Sequence, residues 1–301
     1  MAAKRTTISV EVDGHELELS NLDKVLYPSG FTKGEVIEYY ARIAPVALPH
    51  LRERALTFKR FPNGTETKGF FEKRCPGHRP DFVSVAIGPG DRRGGIEYCC
   101  LDSAASLVWA ANMAAIELHA PMALAEDLAR PRAVVFDFDP GPGTDVHDCC
   151  GIALRVREVL AAVDLEGWCK TSGSKGLQLY VPLNTAGVTH ERAAEFALAV
   201  GQVLEKQLPK QVTTVMAKAV RPGKIFVDWS QNAHHKTTIA PYSMRARPDP
   251  TVSTPVSWDE VSECADGELE LVFEAADVLE RVAERGDLFE PVLTREQALP
   301  G

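Results

Sequence analysis

Ala133-Val-Val-Phe-Asp137-Phe-Asp139-Pro-Gly141 is the stretch on which the reading of this chain turns. Its apolar start predicts a strand over 132–138, and its Asp-Pro-Gly end predicts a turn. Strand geometry sends alternate side chains to opposite faces, so Asp137 and Asp139 share one face while Phe136 and Phe138 share the other. Two carboxylates so placed repel each other, which raises one pKa. A divalent cation removes that penalty and takes hard oxygen ligands of this kind. An edge strand running into a turn spells the same letters, so the pattern gains meaning only from its surroundings.

Downstream, Lys224-Ile-Phe-Val-Asp228-Trp229 carries a lone acid in an apolar strand predicted over 225–229. Burying it bare is costly, so Asp228 is either a satisfied structural acid or the third carboxylate that a two-metal site for phosphoryl transfer needs. Between the two strands lies Lys170-Thr-Ser172-Gly173-Ser174-Lys175-Gly176-Leu-Gln178-Leu-Tyr180, a small-residue turn joining strands predicted at 167–171 and 177–181. Its backbone N–H groups, hydroxyls and ammonium suit a triphosphate, although a plain hairpin loop has the same composition. It lacks the spacing and the following helix of a P-loop.

Around this centre the pattern is mixed. Residues 6–19 alternate as a hairpin about Asp13-Gly14, and Thr32 with Glu35 forms a capping box ahead of a helix carrying Val36, Ile37, Tyr40 and Ile43. Strand-like runs at 55–61, 69–73, 82–87 and 95–101 are separated by turns such as Pro62-Asn63-Gly64. A helix over Ser103–Ala115 and a short strand at Ile116–His119 follow. Helices are also expected at 146–162 and 190–207, which gives an α+β (α/β) fold class. Pro248, Pro250 and Pro255 read as a linker before an acidic helix over Asp266–Arg285. The expected organisation is a single domain over 1–301: a β-rich block at 1–130, a catalytic block at 131–250 and an acidic helical appendage at 251–301.

A chain of 301 residues with 45% apolar and 25% charged residues excludes disorder, collagen and small disulfide scaffolds. No apolar run approaches the ~18 residues of a membrane span, and the N-terminus shows no apolar signal core, so a cytoplasmic location is expected. Seven cysteines without framework spacing are expected to be reduced thiols, and Cys75-Pro-Gly-His78 and His234-His235 read as loop residues rather than zinc ligands. The net charge of −9 is concentrated, since residues 256–301 hold 13 acids against 3 bases. Residues 50–93 hold 10 bases against 5 acids, interleaved with Phe58, Phe61, Phe70, Phe71 and Phe82. Such a stretch fits either a polyanion groove or an ordinary solvated sheet.

Taken in order, the DxD strand, the Ser-Gly-Ser-Lys-Gly loop and the single-Asp strand resemble the three motifs of the archaeo-eukaryotic primase superfamily. Ser20-Asn21-Leu-Asp-Lys24-Val-Leu-Tyr-Pro28, Lys59-Arg60-Phe-Pro-Asn-Gly64, Gly69-Phe70-Phe71-Glu-Lys73, Ile116-Glu-Leu-His119 and Ala240-Pro-Tyr-Ser-Met-Arg245-Ala-Arg-Pro248 extend the resemblance. More closely, nearly the whole chain is similar to the polymerase domain of bacterial non-homologous end-joining ligase D and its stand-alone relatives. That resemblance implies a primase-polymerase fold with two β-sheet blocks flanked by helices, packed face to face about the active site. It implies a polymerase that adds nucleotides, ribonucleotides in preference, to DNA ends and gaps in double-strand-break or excision repair.

The same resemblance implies the site. Asp137, Asp139 and Asp228 would bind two Mn²⁺ or Mg²⁺ ions and carry catalysis. Ser172, Gly173, Lys175, Gln178, His119, Arg245, Lys59 and Phe71 would hold the nucleoside triphosphate. Asn21, Lys24 and Lys33 would grip the 5′-phosphate of a downstream strand, while Arg60, Phe70 and Arg221 would contact DNA. Expected partners are DNA with 5′-phosphorylated ends, gaps or overhangs, a Ku-type end-binding protein and an ATP-dependent DNA ligase, with nucleoid association when DNA is bound. Gln178 departs from the histidine usual at its position and offers a neutral amide donor instead. The rival readings are a non-catalytic DNA-end-binding module and a haloacid-dehalogenase-type phosphatase with Asp137 as nucleophile.

Overall fold

A computed structural model describes residues 7–88 and 94–301, so Thr6 of the first hairpin and the end of the basic stretch at 89–93 lie outside the described residues. The chain divides into two units. One is built on residues up to Ala120 with Tyr242–Val252 and Phe273–Gly286, the other on Pro121–Pro241, Ser253–Val272 and Asp287–Gly301.

In the first unit, β1 (Thr7–Val12) and β2 (His15–Ser20) pair antiparallel about Asp13 and Gly14, both with positive φ as a tight hairpin turn requires. Helix α1 (Lys33–Leu51) starts at the predicted capping box, where Thr32 Oγ1 accepts from Glu35 N–H and the Glu35 carboxylate accepts from Thr32 N–H. Strand β3 (Thr57–Arg60) takes β4 (Phe70–Glu72) on one side. Strands β5 (Val85–Gly88) and β6 (Ile96–Cys99) form a separate hairpin, and α2 (Ala104–Asn112) leads into β7 (Ala115–Ala120), which pairs with the other side of β3.

The returning segment 242–252 is fixed by buried tyrosines. Tyr27 and Tyr39 donate to the carbonyls of Arg245 and Tyr242 at 3.0 and 2.9 Å, and Tyr40 bridges Ile116 O and Met244 N–H. Each phenol fills core volume and also satisfies backbone that would otherwise be buried unpaired. The expectation of seven reduced thiols is corrected here. Cys75 and Cys99 form a disulfide with Cα atoms 4.9 Å apart, because Cys75 N–H bonds Glu97 O and draws the post-β4 loop onto β6, a proximity that a spacing of 24 residues does not announce. The other five cysteines are free and buried.

In the second unit, β8 (Ala133–Pro140) is followed by α3 (Val146–Ala161), β9 (Trp168–Thr171), β10 (Leu177–Pro182), α4 (His190–Gln207), β11 (Val212–Thr213) and β12 (Ile225–Asp228). The sheet order is β11-β12-β8-β10-β9, extended by Pro255–Val256. Phe136 meets Phe196 of α4 at 6.4 Å and Cys149 of α3 donates to Phe138 O, so helices cover the phenylalanine face of β8. Asp137 and Asp139 lie on the opposite face.

Residues 251–301 depart from the expected single appendage. Ser257 and Glu260 form a capping box directly after Pro255, so α5 (Trp258–Ala265) begins inside the predicted linker and packs on α3. Gly267, with φ 78°, follows its end, and α6 (Ala275–Arg285) packs on α1 in the other unit's residue set. No helix among the described residues is long and apolar enough to cross a membrane.

Two glycines fix the loops beside Asp139. A Cβ on Gly176 would stand 2.4 Å from Phe138 O, and one on Gly141 would stand 2.0 Å from Arg221 O. Gly176→Ala is therefore expected to lower the melting temperature by roughly 2–8 °C, the equivalent of about 1–2 kcal/mol of steric strain. A wild-type melting curve would show that the loop is not held there.

Candidate active site

The register of the second unit's sheet sets a row of polar side chains across four strands. Asp228 of β12 is opposite Asp137 of β8, which is opposite Gln178 of β10, which is opposite Lys170 of β9. Asp139 follows two residues along the same face, next to Phe226. Direct antiparallel partners project to one side, so the three aspartates share a surface although the chain separates Asp139 from Asp228 by 89 positions (228 − 139). Burial, first, and the Asp139 carboxylate push the pKa of Asp137 up, with a hydrogen bond from Gln178 and the Lys170 charge opposing. Asp139 is raised by burial and by Asp228, and lowered by Arg221.

Asp228 is at once a satisfied structural acid and a member of the row. Its carboxylate accepts from Ser230 N–H at 3.0 Å, Ser230 Oγ at 2.6 Å and Gln231 Nε2 at 3.1 Å. Among the described residues no three His, Cys, Asp or Glu side chains are gathered closely enough to hold a metal ion. The donor chemistry nevertheless fits a divalent cation: hard oxygens, crowded like charge, and carboxyl groups that desolvation drives toward protonation.

Gln178 is occupied within the row. Lys170 Nζ, fully buried, donates to Gln178 Oε1 at 2.7 Å and to Ser253 Oγ at 2.8 Å, while the Gln178 side chain hydrogen-bonds Asp137. The Ser172–Gly176 turn beside it is organised by its own hydroxyls. Ser172 Oγ accepts from the Ser174 and Gly176 N–H groups, Gly173 has φ 63°, and Lys175 stands exposed at the tip. Arg221 lies against Phe226 with its guanidinium 3.6 Å from the ring centre and donates to Met216 O.

A second cluster belongs to the first unit. Phe71, Lys59 and Glu117 form a row across β4, β3 and β7, with His119 two residues beyond Glu117. The Lys59 ammonium lies 5.5 Å from the Phe71 ring, and Phe71 meets His119 edge-on at 5.5 Å. Glu117 accepts from His119 Nε2 at 3.0 Å and from Arg245 Nε at 3.3 Å, and stands 3.7 Å from Lys59 Nζ. Burial would raise Glu117, but the His119 hydrogen bond and the charges of Arg245, His119 and Lys59 outweigh it and hold the acid at about 2. Burial lowers His119 against the pull of Glu117.

Both members of the phenylalanine pair are exposed, Phe70 at 45% and Phe71 at 59%, so neither belongs to the core. Arg60 is committed to Met113 O and to both oxygens of Glu72, with its guanidinium over Phe70. Asn21, Lys24 and Lys33 are brought together: Lys24 N–H bonds Asn21 O, Lys33 N–H bonds Lys24 O, and the Lys24 ammonium donates to Pro62 O at 2.6 Å. Lys33 is buried and donates to Ser20 O. Sequence reading missed Glu117 and assigned Lys170 no role. The signal that found Asp228, a lone charge inside an apolar strand, was present in both Ile116-Glu-Leu-His119 and Trp168-Cys-Lys170.

A family model described as the primase-polymerase domain of LigD matches residues 32–289. The chain belongs to this family. The Mycolicibacterium smegmatis "Multifunctional non-homologous end joining protein LigD" is 44% identical over 280 residues, 92% of this chain and 36% of that protein. The Bacillus subtilis "Bifunctional non-homologous end joining protein LigD" is 30% identical over 90% of this chain and 43% of its own length. The chain thus spans about a third to two-fifths of these relatives. The solved "Polymerase Domain from Mycobacterium tuberculosis Ligase D in complex with DNA" matches with a TM-score of 0.85 and 41% identity, covering 93% of this chain and 99% of that one. The primase-polymerase fold class and nucleotidyltransferase chemistry follow, and with them a general need for divalent metal and nucleoside triphosphate. The haloacid-dehalogenase reading is overturned: Asp137 sits in a row with Asp228 on a polymerase sheet, not at the head of a phosphatase motif set.

Because Asp137 is raised in the fold, its contribution to metal-free stability is present at low pH and lost as pH rises through its elevated value. Asp137→Asn removes this repulsion. The variant is expected to raise the metal-free melting temperature at pH 8 by about 2–4 °C, roughly 1 kcal/mol, and to flatten the fall in stability between about pH 4, the ordinary aspartate value, and about 7, where Asp137 titrates in the fold. Thermal melts in chelator check this; a variant less stable than wild type at pH 8 contradicts the assigned repulsion.

Proposed function

We propose that the chain is a template-directed primase-polymerase that adds nucleotides, ribonucleotides in preference, to DNA ends and gaps in double-strand-break or excision repair. The observation that supports it most is the register that sets Asp228 opposite Asp137, with Asp139 on the same face. Asp137, Asp139 and Asp228 would hold two Mn²⁺ or Mg²⁺ ions, which would supply activation of the primer 3′-hydroxyl and charge stabilisation at the transferring phosphoryl group. Lys170, acting through Gln178, keeps Asp137 oriented. In the second unit Ser172, Gly173 and Lys175, and in the first unit Lys59, His119 and Arg245, are nucleotide-binding groups, and the positive charge of Lys59 and Arg245 suits a triphosphate.

Phe71 and Phe70 offer stacking faces to nucleotide and template bases, and their exposure supports that role. Arg60 serves DNA through Phe70, under which its guanidinium lies, and Arg221 flanks the strand path. Asn21, Lys24 and Lys33 receive a 5′-phosphate; Lys24, exposed and bonded only to a carbonyl, exchanges that contact for the phosphate. The relatives' names and the DNA in the Mycobacterium tuberculosis complex support end-joining DNA as the substrate; a Ku-type protein and an ATP-dependent ligase are the partners that such a role calls for.

The test is extension of a labelled primer on gapped duplex with Mn²⁺ and nucleoside triphosphates. Asp137→Ala and Asp139→Ala should each lower extension at least about a hundredfold while leaving DNA affinity within about threefold, because carboxylates act on the transition state and basic residues on phosphates. Wild-type end binding without extension would leave the non-catalytic module as the function. Lys24→Ala should weaken binding by about three- to tenfold on DNA with a 5′-phosphate, and little without it. Equal loss on both substrates removes the phosphate role. In competition on a one-nucleotide gap ATP should be incorporated ahead of dATP.

A further inference from the structure

We propose that Glu117 is a positioning residue for nucleotide binding, its two carboxylate oxygens holding Lys59, His119 and Arg245 in the arrangement that receives the triphosphate. The inference rests on the reading that these three side chains bind nucleotide.

Glu117 occupies the centre of β7 with its side chain 3% exposed. Strand register puts it directly opposite Lys59, and period two puts His119 on the same face. The two oxygens divide the work. Oε2 accepts from His119 Nε2 at 3.0 Å and faces Lys59 Nζ at 3.7 Å, while Oε1 accepts from Arg245 Nε at 3.3 Å and from the backbone N–H of Ala246 at 3.2 Å. One acid therefore ties β3 and β7 to the segment that carries Arg245.

A single ion pair would satisfy a buried carboxylate. Lys59 and Arg245 around one acid leave an excess of positive charge, to which His119 adds only when protonated, and this suits an incoming anion. Without the acid these groups repel one another at close range. Lys59 and Arg245, already 26% and 17% exposed, then gain by turning to water, and the nucleotide would have to order them again. The repulsion between Glu117 and the phosphates works the other way, but the acid is buried and already paired with the groups that meet the ligand. An ionised carboxylate only accepts, so Nε2 of His119 carries the proton; a phosphate oxygen also only accepts, so Nδ1 must take up a second proton from solvent to bind it.

Glu117→Gln keeps the side chain's shape and its acceptor for Ala246 but removes the charge. On a gapped primer the variant should show a KM for ATP raised about tenfold with kcat reduced less than threefold. A merely structural loss lowers the melting temperature and the active fraction, which changes kcat and leaves KM alone. A folded variant whose KM is unchanged or lower overturns the proposal.

Nitrogen NMR of histidine-labelled wild-type protein tests it without any variant. His119 should show a protonated Nε2 throughout, and its Nδ1 resonance should move when Mg²⁺ and ATP are added. A proton on Nδ1 alone, or an Nδ1 signal indifferent to ATP, overturns it equally. Wild-type protein that extends no primer defeats the function proposed above. Wild-type extension together with an unchanged KM in Glu117→Gln defeats only the role of Glu117.

Discussion

Like charge held out of water governs the second unit. Asp137 and Asp139 leave β8 on one face, the register of β12 adds Asp228, and desolvation with mutual repulsion lifts the first two above the ordinary carboxylate range. A fold retains such a cluster only if other groups offset part of the cost. Here Lys170 supplies a buried positive charge one strand beyond Gln178, and the amide between them bonds both Lys170 and Asp137. The remaining negative potential is what a divalent cation relieves.

The first unit shows the opposite case. Glu117 is also a buried strand carboxylate, yet it is held at about 2 because His119, Arg245 and Lys59 surround it. Burial raises Asp137, Asp139 and Glu117 alike; like charge adds to it at the two aspartates, whereas at Glu117 the surrounding basic groups outweigh it and reverse the sign. The contrast leaves negative potential in one cluster and positive charge in excess of the acid in the other.

Positions far apart in sequence are set by backbone satisfaction. Tyr27, Tyr39 and Tyr40 spend their hydroxyls on the carbonyls and N–H groups of 242–244, Arg245 and Ile116, which fixes where Arg245 emerges. Gly141 and Gly176 allow the Arg221 segment and the Ser172–Gly176 turn to approach β8 more closely than any side chain would permit. The Cys75–Cys99 link likewise follows from Cys75 N–H pairing with Glu97 O.

Local signals were legible. The hairpin at Asp13-Gly14, the capping box at Thr32 and Glu35, the strand through Asp137 and Asp139 and the helices over 146–161 and 190–207 all follow from short-range periodicity, turn chemistry and capping, which the sequence carries explicitly. The extended resemblance added the family, because the order of several weak motifs is itself specific. Missing were the second helix start hidden behind Pro255, the disulfide, the occupation of Gln178 by Lys170 and Asp137, and the part played by Glu117. By itself the sequence determined which residues can form strands, helices and turns, since these depend on neighbours a few positions away. Only the tertiary structure decided which charges meet, because register and close backbone approach join residues as far apart as Glu117 and Arg245, 128 positions, and a pKa depends on the distance between charges in space.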